Sequence, residues 1–155
     1  MLTAEQMGIQ QITVVEPVDG RREWVRKRGV QVAASARELI DAGLEADTVF
    51  ECAGEAAAIE DALHLAKPAG KVIVVGIPHP ERISFEANIP RRKELTIFFS
   101  RRSRDTLQEA TELVTIGQID LPPIPVRCFT LDQTAEAIEA TAARPGDMLR
   151  AAVIP

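Results

Sequence analysis

Glu16 is the first residue whose type and position suggest chemistry. It closes the apolar run at residues 10–15 (QQITVV) and stands directly before Pro17. A carboxylate at the C-terminal end of a parallel strand can accept hydrogen bonds from the hydroxyls of a ribose. Arg21, five residues on, could reach the same end of the sheet. A solvated acid ending a strand is the plainer reading of the same position. Two further strand ends carry small residues: Glu51, Cys52, Ala53 and Gly54 in one, then Val75, Gly76, Ile77 and Pro78 in the next. Small side chains there let a flat ligand approach the backbone, although tight turns alone would also call for glycine. A third strand end runs into Ser100, Arg101, Arg102, Ser103 and Arg104, a basic cluster able to hold an anionic group or simply to be solvated.

Other reactive residues point nowhere in particular. His64 falls between core positions of a helical pattern and reads as structural, while His79 sits in a loop without a sequence partner. Cys52 and Cys128 are far apart and form no CxxC pair, so buried, inert thiols are expected and no zinc motif is spelled out. The sequence contains no GxSxG elbow, no GxGxxG and no GxxxxGK[ST]. The basic stretch RREWVRKR at residues 21–28 lacks the interleaved aromatics of a nucleic-acid stacking surface and reads as a solvated helix face.

The elements that must position these residues follow from breakers and apolar runs. Strands are expected at 10–15, 30–33, 48–52, 71–77 and 94–99, with helices between them at 19–28, 35–43 and 55–66. The sequence at 35–38 is a Ser-x-x-Glu capping box. Ile59, Ala62, Leu63 and Ala66 repeat at helical spacing. Pro68, Ala69 and Gly70 should break the chain before KVIVVGI, a near-continuous apolar run of the kind found in sheets buried on both faces. Alternation of strand and helix with short connections predicts an α/β fold with a parallel sheet. Beyond Ile77 the rhythm changes. Asn88, Ile89 and Pro90 are expected to bound a loop, and a helix carries Leu107, Ala110, Leu113 and Val114 before Gly117. A proline-rich segment follows at 121–125, then a strand at 126–130, a second capping box (Thr130, Gln133) opening a helix, and a last strand at 149–154.

Composition bounds the class. The 155 residues are 46% hydrophobic and 26% charged, typical of one globular domain. The formal net charge of −5 argues against a nucleic-acid partner held by bulk electrostatics. No apolar run approaches the roughly 20 residues of a membrane helix. The first residues lack the basic start and apolar core of a signal peptide, so a cytoplasmic setting is expected, with no membrane partner.

Segment order and wording together resemble the C-terminal part of zinc-dependent medium-chain alcohol and polyol dehydrogenases, of the sorbitol and threonine dehydrogenase kind. The matching stretches are MGIQQITVVEPVDGRRE, DTVFECAGEAAAIEDALHLAKPAGKVIVVGIP, KELTIFFSRRSRDTLQEATELVTIGQIDLPPIPVRCFTLDQTAEAIEA and LRAAVIP, nearly the whole chain. The resemblance implies a Rossmann-type parallel sheet lacking its first strand over residues 1–99, followed by a helix-strand-helix-strand segment over 100–155. It implies that Glu16 binds the adenosine ribose with Arg21 beside it, that Cys52, Ala53 and Gly54 run along the cofactor, and that Val75, Gly76 and Ile77 lie beside the nicotinamide. Ser100 and Arg101 would close over that end and border the substrate cleft. NAD is the implied cofactor, since Glu16 would repel a 2′-phosphate; Arg21 and Arg22 keep NADP open.

The family's zinc ligands and glycine-rich turn are not among these residues. Zinc is therefore expected only in a full-length relative, and the chain alone is expected to be inactive on the family's alcohol or polyol substrates. The alternative is a non-catalytic nucleotide-binding or dimerisation remnant. A homodimer through the strand at 94–99 is the implied partnership. Without a central strand, the strands at 12–16 and 30–33 are expected to tilt onto the strand at 48–52, and the fold to be marginally stable.

Overall fold

The computed structural model describes residues 1–78, 82–101, 103–120, 124–143 and 146–155. His79, Arg102, Pro145 and the start of the proline-rich segment lie outside the described residues. The chain divides into two compact units, Met1–Ala34 with Thr106–Pro155, and Ser35–Asp105.

The first unit opens with α1 (Leu2–Gln6) and continues through β1 (Thr13–Val15), α2 (Asp19–Arg26) and β2 (Gln31–Ala33). β1 and β2 pair in parallel, with Val14 opposite Val32.

The second unit contains α3 (Ala36–Asp41), β3 (Ala46–Glu51), α4 (Ala56–Leu65), β4 (Ala66–Val74), α5 (Asn88–Lys93) and β5 (Thr96–Phe99). Its three strands form one parallel sheet in the order β3-β4-β5. The Ser35 hydroxyl accepts the Glu38 amide and caps α3, as the 35–38 pattern predicts. Ile59, Ala62 and Leu63 of α4 bury against Val72 and Val74, with Val49, Ile89 and Ile97 packed around them. Lys93 secures the far end of α4: its ammonium donates to the carbonyls of His64 and Ala66, each at 2.7 Å, and pairs with Glu45 at 3.2 Å.

The first unit then resumes with α6 (Leu107–Thr115), β6 (Val126–Thr130), a 3-10 turn (Leu131–Gln133), α7 (Thr134–Ala142) and β7 (Arg150–Ile154). β6 and β7 pair in parallel. Phe129, Ala137 and Met148 form a small core there. The Thr130–Gln133 capping box is present, in front of the 3-10 turn that leads into α7.

Four expectations need correction. The 12–16 and 30–33 strands do not join the 48–52 strand: β1 pairs with β2, and β3 pairs with β4 in a separate sheet. α3 packs on α4, which anchors the start of the second unit to its own sheet and leaves β1 and β2 to satisfy one another. Cys52 and Cys128 are both exposed rather than buried. Asn88, Ile89 and Pro90 do end a loop as expected, and in doing so they open α5, which the sequence pattern did not announce; proline in a first helical turn lacks only an amide that would be unpaired anyway. Pro68, Ala69 and Gly70 do not end the preceding element. They bulge out within β4, where register jumps from Ala46–Ala66 to Thr48–Lys71 and Ala69 takes a left-handed φ of 59°. Finally, the sheet of the second unit is buried on one face only. Phe50 and Phe98 flank Ile73 in register on the other face and are 56% and 60% exposed.

Candidate functional site

Parallel strands deliver their C-terminal ends to one edge of a sheet, and ligands of open α/β sheets gather there. In the second unit that edge is built from residues 51–54, 75–77 and 100–101. Glu51 organises it. This side chain ends β3 on the face that packs against α4, in register with Val74, and it is 4% exposed. Its Oε1 accepts the amides of Ala53 and Gly54, both at 2.7 Å. Its main-chain carbonyl accepts the amides of Val75 and Gly76 at 2.8 and 3.0 Å. One residue therefore fastens two turns. Ser100 is tied in from β5, its amide donating to Val74 O at 2.9 Å.

The glycines fit this fastening. Gly54 has φ +76°, and a Cβ there would stand 2.5 Å from the Ile77 carbonyl oxygen. A Cβ on Gly76 would run into the backbone of Gly54 and stand 2.7 Å from Glu51 Oε2. The two turns pack backbone against backbone, and a side chain at either glycine would push them apart. Toward solvent the edge presents Cys52 and Ala53, both exposed, with Val75 38% and Ile77 67% exposed. Arg101 is exposed and Ser100 half-buried beside this edge in sequence. The Cys52 thiol is held above the usual range, first by partial burial and then by the neighbouring Glu51 carboxylate.

Glu16 and Arg21 belong to the first unit. Glu16 follows β1, and its Oε1 accepts the Val18 amide at 2.9 Å, fixing the carboxylate over the turn that enters α2. Arg22 braces the same turn, donating to Glu16 O at 2.7 Å and Pro17 O at 3.0 Å while pairing with Asp19. Arg21 turns elsewhere: its Nη2 lies 3.5 Å from Met148 O, and its buried Nε has no hydrogen-bond partner among the described residues.

Sequence reasoning placed Glu51 at a strand end without singling it out. The available signal was an acid closing an otherwise apolar run two and three residues before small residues, the spacing at which a side-chain oxygen captures following amides. His64 is exposed on α4 and contributes only its carbonyl to Lys93. Among the described residues, no group of three His, Cys, Asp or Glu side chains is placed to hold a metal ion, and no helix is long and apolar enough to cross a membrane.

The parallel α/β architecture is shared with known proteins. Residues 1–115 match the zinc-binding dehydrogenase family, and the chain belongs to it. A protein of Rhizobium meliloti (strain 1021) named for D-xylulose reductase is 35% identical over 134 residues, 84% of this chain and 38% of that protein. The sorbitol dehydrogenase of Bacillus subtilis (strain 168) is 26% identical over 152 residues, 93% of this chain and 42% of the enzyme. In fold, the chain is similar to a short chain alcohol dehydrogenase from E. coli CFT073 complexed with NADH. The TM-score is 0.84 at 17% identity, covering 99% of this chain and 48% of that one. It is also similar to a zinc-binding dehydrogenase from Sinorhizobium meliloti 1021 bound to NADP, with a TM-score of 0.77 at 22% identity over 99% of this chain and 48% of that one. The chain thus spans between 38% and 48% of the length of these proteins.

Proposed function

We propose that this chain is the dinucleotide-binding portion of an NAD-linked alcohol or polyol oxidoreductase. Family membership supports the class, and the observation that carries the reading is the strand-end edge fastened by Glu51. Exposed Val75 and Ile77 offer an apolar bed for one face of a nicotinamide ring, and Ser100 and Arg101 offer polar groups at its rim. Glu16 is the acceptor for the adenosine ribose, already held in place by the Val18 amide. A carboxylate there favours two free hydroxyls over a 2′-phosphate, so NAD is preferred over NADP. When bound, the nicotinamide would supply the hydride acceptor. The chain's own part is to orient that ring and the ribose.

The proposal includes a homodimer. β5 is the last strand of its sheet, with β4 on one side only. Its Phe98 and Phe99 are 60% and 57% exposed. An unpaired apolar edge of this kind is suited to pairing with a second copy. Amide-shift mapping of the full chain with NADH tests the binding reading: shifts are expected at Gly54, Gly76 and Ser100 and around Glu16, and their absence at saturating ligand would overturn it.

A further inference from the structure

We infer that Glu51 is a positioning residue: its carboxylate holds the 52–54 turn against the 75–77 turn and thereby sets the shape of the edge that receives the nicotinamide end. The ligand half of this inference rests on the dinucleotide reading above; the fastening half does not. Four amides converge on this one residue, Ala53 and Gly54 on the side chain, Val75 and Gly76 on the main-chain carbonyl. Hydrogen bonds to an ionised oxygen are stronger than neutral ones, and more so away from water.

Glu51 is also an anomaly as a packing residue. It occupies a position beside Val74, which is 2% exposed, where an apolar side chain would bury at no polar cost. Its Oε2 is buried without a hydrogen-bond partner among the described residues. A buried carboxylate with one oxygen unanswered is costly. That cost is offset only if the two turns must be held in one arrangement. A Cβ at residue 76 would meet the Gly54 backbone first, at 2.2 Å, and the same Oε2 at 2.7 Å, so the carboxylate adds to the constraint that keeps glycine in the facing turn.

Two substitutions separate fastening from space-filling. Glu51→Gln keeps an acceptor oxygen, whereas Glu51→Met keeps the bulk and loses it. In the full chain, the Ala53 and Gly54 amides should exchange with solvent at least about tenfold faster in Glu51→Met and within about threefold of wild type in Glu51→Gln, while Val72 and Val74 stay protected in both. NADH affinity should follow the same order, and AMP affinity should change in neither.

Equal protection of the two turn amides in both variants would overturn the fastening role. Loss of protection at Val72 and Val74 as well would make Glu51 a general stabiliser and overturn it too. Turn amides that respond while NADH affinity does not would overturn the positioning of ligand and leave the dinucleotide reading standing. A wild-type chain that binds neither NADH nor AMP would remove the dinucleotide reading and the ligand half with it, and amide exchange would still decide the fastening half.

Discussion

A methyl group on Gly76 would stand 2.7 Å from Oε2 of Glu51, a residue that ends the neighbouring strand. The two positions constrain each other across the sheet edge. Gly76→Ala should therefore destabilise the second unit by about 1–3 kcal/mol, the usual cost of overpacking a tight site. Gly54→Ala should cost at least as much, since it adds a clash with Ile77 O to a φ of +76° that L-residues rarely adopt. Urea midpoints of the two variants check this; a shift below about 0.5 kcal/mol, the range of neutral surface changes, would show that the turns can separate freely.

The proposed preference for NAD involves Arg22 as well as Glu16. The Arg22 guanidinium is engaged by Glu16 O, Pro17 O and the Asp19 carboxylate, which leaves it poorly placed to greet a 2′-phosphate. NADPH should bind at least about tenfold more weakly than NADH, the worth of roughly one lost charge-assisted contact. Asp19→Ala should narrow that gap by releasing the guanidinium from one partner. Competition titrations measure both, and an unchanged ratio in Asp19→Ala would show that Arg22 plays no part in discrimination.

The strand pattern was legible in the sequence because apolar runs, capping boxes and glycine stops all agreed. Ser35 and Thr130 cap where their spacing says they should. Sheet partnership was not legible, because which edges β1 and β3 share depends on long-range packing of α3 on α4 rather than on any local pattern. The bulge at Ala69 escaped for a related reason: proline and glycine mark a break in direction, and only pairing with β3 shows that the strand resumes. At the site, strand-end glycines were visible, but the reason for them was not. Gly54 and Gly76 answer to each other's backbone, and Gly76 to Glu51, contacts between residues more than twenty positions apart.

Cys52 gives a pH test. Partial burial, and then the Glu51 charge, raise its thiol above the usual range, so the thiol stays protonated through neutral pH. Alkylation at pH 8 should be slower at Cys52 than at free cysteine, and its rate should climb only at more alkaline pH. Because the folded value is raised above the unfolded one, the associated stability is present below the unfolded pKa and is lost as pH rises through the folded one. Glu51→Gln should speed alkylation at pH 8; a slower rate would contradict the assigned cause.

The dimer proposal predicts a light-scattering mass near twice that of the chain at micromolar concentration. Phe98→Glu places a charge on an exposed position of β5 and should return the protein to monomer without unfolding it, as judged by an unchanged circular dichroism spectrum. A monomeric wild type would remove the proposal.

Binding of a dinucleotide by this chain is the central claim, and calorimetric titration with NADH tests it most directly. The expected result is saturable 1:1 binding with a Kd below about 1 mM, weakened about tenfold or more by Glu16→Ala. No heat of binding at millimolar NADH from a folded wild-type chain, or equal affinity in Glu16→Ala, would contradict it.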